Sequence, residues 1–266
     1  MEKNMIVAMS CTTNWYRYLT VDLYSLLECT KTIKKIYLLI ETDDYCTIPF
    51  LEQFAQKYDV EIVAVSAMEY VYKYLEKSSP NYNSIYSNFC FSRLVLADVV
   101  KEDKVLYIDT DAIVRKDISN VWKYDLSSYY VAGVEDIGVF KYDSFHELHL
   151  SGKYINSGFV VFNLKKIREE NIVSKWFDVI NARKLRFPDQ DALNYVCTNH
   201  EYYLSSMYNQ ADGSTVYVCN HDLVKVFHYT GSKKNWVVDR LYGEEWYDAQ
   251  EKFFEEYGFD AFSSKE

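Results

Sequence analysis

Glycine is scarce in this chain, 8 in 266 residues, and the first is Gly133. A glycine-rich turn of the dinucleotide-binding or P-loop kind follows the first strand of its fold, so neither motif is present there. Any phosphate must therefore be held by a metal, by side chains or by a later glycine. Proline is scarcer still, at 3 residues, and no Pro/Gly/Ser-rich linker, repeat or low-complexity tract interrupts the sequence. The expectation is one domain over 1–266. Basic charge is also deficient: a net charge of −10 argues against nucleic acid or an anionic membrane surface as partner. No hydrophobic run is long enough to span a bilayer, and the opening Met5-Ile6-Val7-Ala8-Met9-Ser10 is too short for a signal sequence, which predicts a soluble, cytoplasmic protein. The six cysteines, at 11, 29, 46, 90, 197 and 219, have no C-x-x-C spacing and read as reduced, buried thiols.

What the chain does have is a large apolar fraction, 49% hydrophobic, enough for a sizeable core. It is laid out as alternating strand and helix patterns. Strands are predicted at Met5–Ser10, Lys35–Ile40 and Glu61–Val65. Helices are predicted at Trp15–Cys29, from Pro49 to Tyr58 and at Ile85–Val99. Such alternation specifies an α/β fold, a mainly parallel twisted sheet flanked by helices. Further strands are expected at Tyr130–Val134 and Tyr154–Asn163, with helices at Ile172–Lys184 and Asp189–Thr198 and an acidic helical tail from Gly243.

The segment Lys104-Val105-Leu106-Tyr107-Ile108-Asp109-Thr110-Asp111 is the most informative. An unbroken apolar strand ends in two carboxylates one residue apart, where open α/β sheets bind their ligands. In so acidic a protein, a divalent cation on Asp109 and Asp111 would invert the local field for a phosphorylated substrate. Four other segments place polar groups beside apolar elements: Phe91-Ser92-Arg93-Leu94; Tyr154-Ile155-Asn156-Ser157-Gly158-Phe159; Phe187-Pro188-Asp189-Gln190-Asp191; and His228-Tyr229-Thr230-Gly231-Ser232-Lys233-Lys234-Asn235-Trp236.

In this order and at these separations, the segments from Met5 to Trp236 resemble glycosyltransferase family 8, the retaining enzymes that include glycogenin and bacterial lipopolysaccharide galactosyl- and glucosyltransferases. The resemblance implies the GT-A, Rossmann-like nucleotide-sugar fold. It divides the chain into a nucleotide-binding half (1–111), a sugar and acceptor half (112–240) and a C-terminal helix (241–266). It implies a UDP-hexose donor, Mn²⁺ or Mg²⁺ as cofactor, and a saccharide, glycolipid or glycoprotein acceptor. Asp109, Asp111 and His228 match its metal ligands. Gly231 and Lys234 match the positions at the donor diphosphate, and Arg93, Thr110, Ser157 and Asp136 match donor-contacting positions. Asn156, Asp189 and Gln190 match the residues around the anomeric carbon. Two departures stand out: Asn235 replaces a usual proline, and Cys11-Thr12-Thr13-Asn14-Trp15 lacks the acidic residue often offered to uracil. Thr12, Thr13 and Asn14 can still hydrogen-bond a base and ribose, and Trp15 or Tyr16 can stack on it.

Each of these features also has a plainer reading. An Asp-x-Asp after a strand can cap a helix or turn, a lone histidine after Val224-Lys225-Val226-Phe227 can be a satisfied core residue, and Asp189-Gln190 can cap the helix that follows. His146-Glu147-Leu148-His149 lacks the register of a zinc site. The functional alternatives are a sugar-1-phosphate nucleotidyltransferase, which needs the glycine-rich loop this chain lacks, and a non-catalytic scaffold of the same fold.

Overall fold

The computed structural model describes residues 2–41, 48, 50–141, 148, 153–211, 221–230 and 243–258. Its centre is a seven-stranded sheet built from β1 (Met5–Cys11), β2 (Ile33–Ile40), β3 (Glu61–Ser66), β4 (Lys104–Asp109), β6 (Val131–Glu135), β7 (Ile155–Asn163) and β8 (Glu201–Leu204). The strand order is β3-β2-β1-β4-β7-β6-β8. Only β7 runs against the others, so the sheet is mainly parallel as expected. A second sheet of three short strands joins β5 (Ala112–Val114), β10 (Val226–His228) and β9 (Gln210–Ala211) in that order.

Alternation along each strand feeds two cores. From β1, Ile6 and Ala8 join Tyr107, Phe162 and Trp176 on one face, while Met5, Val7 and Met9 join Leu106, Val161 and Leu19 on the other. A strand buried on both faces must be apolar at nearly every position, which is why these segments read as continuous hydrophobic runs. The helices covering the sheet are α1 (Tyr16–Cys29), α2 (Leu51–Tyr58), α3 (Met68–Tyr72), α4 (Leu96–Val99), α5 (Leu164–Glu169), α6 (Ile172–Ala182), α7 (Pro188–Cys197) and α8 (Gly243–Tyr257).

Two expected helices start later than their sequence pattern suggests. The stretch from Ile85 is not helical until Asn88, because Asn83 and Asn88 close a loop on each other: the Asn83 N–H donates to Asn88 Oδ1 and Asn88 Nδ2 donates to Asn83 Oδ1. A 3₁₀ segment, Asn88–Val95, then leads into α4, and Ile85 is left exposed. Helix α2 begins at Leu51 after Phe50 in the left-handed region, and Pro49 lies outside the described residues. The strands β5, β8, β9 and β10 were not anticipated. They are two to four residues long, too short to carry a period.

Helix α1 is buried nearly all round because α8 packs over it, with Trp246 and Phe253 fully enclosed. The Trp246 Nε1–H donates to Asp22 Oδ1 across this contact at 3.3 Å. Burial, and secondarily the charge of Asp111, push the Asp22 carboxyl well above the usual carboxylate range, against the opposing hydrogen bond from Trp246. The folded chain thus holds this proton more tightly than the unfolded one, so Asp22 subtracts stability as pH rises above the unfolded value of about 3.9. Asp22→Asn keeps an acceptor for Trp246. Urea denaturation in EDTA should find the variant more stable than the parent at pH 7, with the gain vanishing below about pH 4.

Candidate active site

The sheet topology determines where the chemistry collects. From β1 the chain moves outward to β2 and β3, then returns to the other side of β1 as β4. The carboxyl ends of β1 and β4 therefore flank a topological switch point. Ser10 pairs with Asp109 there, and the Thr110 hydroxyl donates to the Ser10 carbonyl at 3.1 Å. Thr12, Thr13 and Asn14 follow directly at the tip of β1, with Thr13 and Asn14 exposed. Trp15 is half-buried against Tyr18, whereas Tyr16 is buried in the core. That corrects the expectation that Tyr16 could stack on a base: as the first residue of α1 it faces the sheet.

The antiparallel direction of β7 starts it where β4 ends, since Ile108 pairs with Phe159. Asn156, Ser157 and Gly158 are thereby set beside Asp109. From the second sheet, β10 pairs His228 with Ala112, and the Tyr229 N–H donates to the Asp111 carbonyl. His228 Nε2 lies 3.2 Å from Asp111 Oδ1 and 3.6 Å from Asp109 Oδ2. One ligand atom from each of the three lies within 4.8 Å of the others, a spacing that a single divalent cation can bridge. The plainer reading of His228 as a core residue is half right: the ring is buried, but its edge faces two carboxylates.

Gly158 permits this convergence. A Cβ on it would lie 2.1 Å from His228 Cε1 and 2.7 Å from Asp109 Oδ2, and neither neighbour is the free end of a flexible chain. Gly158→Ala should fold with a loss of about 1–3 kcal/mol and bind Mn²⁺ at least tenfold more weakly. Electron paramagnetic resonance of free Mn²⁺ measures this, and parental affinity would mean that the triad does not hold the ion.

Arg93 organises the other side. Its Nη2 lies 2.9 Å from Asp109 Oδ1 and its Nη1 donates to Asp109 Oδ2 at 3.2 Å, a two-pronged grip on one carboxylate. Nη1 also donates to the carbonyl and hydroxyl of Ser157, at 3.0 and 2.9 Å. Its Nε lies 3.2 Å from Asp189 Oδ2, a charge contact without hydrogen-bond alignment. The guanidinium stacks 4.7 Å from the centre of the Tyr107 ring. Burial opposes its charge, but Asp109, Tyr107 and Asp189 together hold its pKa well above the usual arginine value. Tyr107 was not anticipated as a site residue, because its position in an apolar strand hides it. Its hydroxyl, in contact with Ser10 Oγ, donates to Asp109 Oδ1 at 2.8 Å. Burial first, and Asp109 next, keep that phenol protonated despite Arg93.

The amino end of α7 brings in Asp189 and Gln190. Gln190 Oε1 accepts the Ser157 N–H at 2.8 Å, and its Nε2 donates to Asp136 Oδ2 at 3.3 Å. Asn156 Nδ2 donates to the same Asp136 oxygen at 3.1 Å. Asp189 accepts from the Ser157 hydroxyl at 3.2 Å, and burial raises its pKa against the pull of Arg93. Asp189 does not hold the turn into the helix, contrary to the capping expectation. Asp191 does so, accepting the N–H groups of Arg186 and Phe187 at 3.0 Å each and the Tyr154 hydroxyl at 2.6 Å. Asn194 clamps α7 to β7 by bonding both backbone groups of Ile155. Asp189 and Gln190 are thus left facing the site.

Gly231, Lys234 and the residues to Trp236 lie outside the described residues, as do His146, Glu147 and His149. Among the described residues, Cys11, Cys29, Cys90 and Cys197 are free thiols. No described helix is long and apolar enough to cross a membrane.

A mainly parallel sheet with an acidic pair at the switch point, a reversed strand beside it and a histidine delivered from a small second sheet is the GT-A architecture of a glycosyltransferase. The fold superposes with a TM-score of 0.73 on a structure of the galactosyltransferase LgtC with donor and acceptor sugar analogues, at 20% identity, covering 92% of this chain and 95% of that one. It also matches the bifunctional glycosyltransferase WbbM with a TM-score of 0.78, covering 94% of this chain and 50% of that one, at 20% identity. The chain belongs to glycosyl transferase family 8, whose sequence model matches residues 6–239. Similar proteins include general stress protein A of Bacillus subtilis, 28% identical over 70% of each chain. Another is a lipopolysaccharide 1,2-glucosyltransferase of Escherichia coli, 27% identical over 81% of this chain and 68% of its own. The protein is thus a glycosyltransferase, moving a sugar from a donor to an acceptor.

Proposed function

We propose that this glycosyltransferase transfers a hexose, glucose or galactose, from a UDP-sugar to an acceptor hydroxyl with retention at the anomeric carbon. The observation that carries the reading is the convergence of Asp109, Asp111 and His228 at the switch point of the sheet. Two carboxylates and an imidazole suit Mn²⁺ or Mg²⁺ and leave positions for diphosphate oxygens. Asp109, Asp111 and His228 would hold a divalent cation, whose positive charge would offset that of the departing diphosphate in a protein that otherwise repels it.

The chain's own residues would do the rest. Arg93 holds Asp109 and Ser157 in place, so the carboxylate presents a fixed edge to the cation. Thr12, Thr13 and Asn14 are within the loop that a base and ribose would meet after β1, and Gly231 and Lys234 are assigned to the diphosphate. Retention is supported by how the neighbouring carboxylates are occupied. Asp136 accepts from both Asn156 and Gln190, and Asp189 is engaged by Arg93 and Ser157. An inverting transferase needs a carboxylate base in line with the acceptor. Here the group assigned beneath the anomeric carbon is the Gln190 amide, which cannot take a proton. The leaving phosphate would deprotonate the acceptor on its own face, with Gln190 and Asn156 supporting the developing cationic centre. A cavity of about 250 Å³ adjoins Asp136, Asn156 and Asn209 and extends to Glu135, Leu204 and Gln210. We assign it to the acceptor, a saccharide or the sugar of a glycolipid or glycoprotein.

Hydrolysis of UDP-, GDP- and TDP-hexoses with Mn²⁺ tests the donor assignment. UDP-glucose or UDP-galactose should be consumed and the others spared. Preference for a GDP- or TDP-sugar would overturn it. Within the H-x-x-G-x-x-K register, Lys234→Ala should weaken UDP binding measured by calorimetry and Lys233→Ala should not; the reverse would show the register to be shifted.

A further inference from the structure

Asn209 belongs to none of the motifs that define the site, yet it links them. It is buried in the turn between a 3₁₀ segment, Ser206–Tyr208, and β9. His228 Nδ1 lies 3.0 Å from its Oδ1, and its Nδ2 donates to Asn156 Oδ1 at 2.9 Å.

The directions of these bonds are dictated by one backbone group. The Gly158 N–H donates to the Asn156 side chain at 3.0 Å, so the Asn156 atom it meets is the carbonyl oxygen. That leaves the Asn156 amide nitrogen to donate to Asp136 Oδ2, which as a carboxylate accepts only. An oxygen facing Asn209 requires an NH₂ group there, so Asn209 turns its own oxygen toward His228. A carbonyl oxygen accepts, so His228 must carry its proton on Nδ1. A neutral imidazole with Nδ1–H presents a lone pair at Nε2. Nε2 faces Asp111 Oδ1 at 3.2 Å and Asp109 Oδ2 at 3.6 Å. In the neutral ring this lone pair and the two carboxylates are three acceptors facing one another, an arrangement that a bound cation relieves.

We propose that Asn209 is a positioning residue that fixes His228 as the Nδ1–H tautomer, committing Nε2 to a cation, and at the same time aims Asn156 at the donor sugar. The proposal rests on reading Asp109, Asp111 and His228 as metal ligands. Its two bonds separate by function: the one to His228 governs cation affinity, and the one to Asn156 governs turnover once donor is bound. Outer partners of metal-bound histidines are typically worth about 10- to 100-fold in metal affinity or activity.

The tautomer is tested first in the unmodified protein, without donor. Long-range ¹H–¹⁵N correlation of the histidine rings at alkaline pH should give His228, identified by its loss in His228→Ala, the proton on Nδ1. A proton on Nε2 would overturn the proposal. Mn²⁺ affinity of the donor-free protein, read by electron paramagnetic resonance, then separates the variants. Asn209→Leu, which removes both bonds, should bind Mn²⁺ about 10- to 100-fold more weakly. Asn209→Asp keeps an acceptor for His228 but sets an oxygen against Asn156. It should bind Mn²⁺ at least as tightly as the parent while kcat for donor hydrolysis falls. Parental affinity in Asn209→Leu, or equal losses of affinity in both variants, would overturn the proposal. The metal reading is checked separately by His228→Ala: unchanged Mn²⁺ affinity there would overturn that reading, and the role of Asn209 with it.

Discussion

Replacing Asp111 by asparagine should leave a folded protein that consumes its sugar nucleotide about a thousandfold more slowly, equivalent to about 4 kcal/mol of lost transition-state stabilisation. The change is isosteric, but it removes one of the two carboxylates proposed to hold a cation beside the leaving diphosphate. Folding should not suffer. In the metal-free protein Asp111 is buried among acidic neighbours, with His228 its nearby imidazole partner, and its charge adds to the burden on Asp22. Removing it should leave the melting temperature in EDTA the same or slightly higher. His228→Ala should lose activity comparably. Initial rates over a Mn²⁺ titration, with melting curves in EDTA, separate the two effects; a variant that is unstable and correspondingly inactive would point to a structural role instead.

The second large effect is on stability and is expected at Arg93. Its guanidinium neutralises Asp109 and contacts Asp189 in a buried setting, and it donates twice to Ser157. Removing one partner of such an arrangement leaves the other charges buried and uncompensated. Arg93→Met should therefore cost about 3–5 kcal/mol in urea denaturation at neutral pH. The deficit should shrink as pH falls and the Asp189 carboxyl, whose pKa burial already raises, takes up its proton. Arg93→Lys should recover only part, since a point charge cannot grip both oxygens of Asp109 while reaching Ser157. A loss below about 1 kcal/mol in Arg93→Met at neutral pH, the range of an exposed ion pair, would contradict this account.

Much of this candidate site was legible in the sequence because its polar side chains are announced by abrupt changes of character. Asp109 and Asp111 end an apolar strand, and Asn156 to Gly158 begin another. Each placed a polar group at the end of an element whose course hydrophobicity had already indicated. Strand directions were not legible: nothing in Ile155–Asn163 says that β7 runs against β4, yet that reversal brings Gly158 against Asp109 and His228. Tyr107 escaped notice because a buried tyrosine in a hydrophobic strand is first of all a core residue, although strand alternation puts it on the same face as Asp109, which its hydroxyl reaches. Asn209 lies in a turn among strands of two to four residues, where no period exists to locate it. In the helix entering α7, sequence distance misled the capping assignment: Asp189 is nearer the start, but Asp191 reaches back to the turn.

The central claim, a cation-dependent transfer from a nucleotide sugar with retention, is tested most directly by following the anomeric proton. With Mn²⁺ present and no acceptor, ¹H NMR of UDP-glucose or UDP-galactose should record the α-hexose as the first product, before mutarotation, and chelation with EDTA should stop its appearance. A β-hexose as first product, or undiminished release in EDTA, would contradict the account.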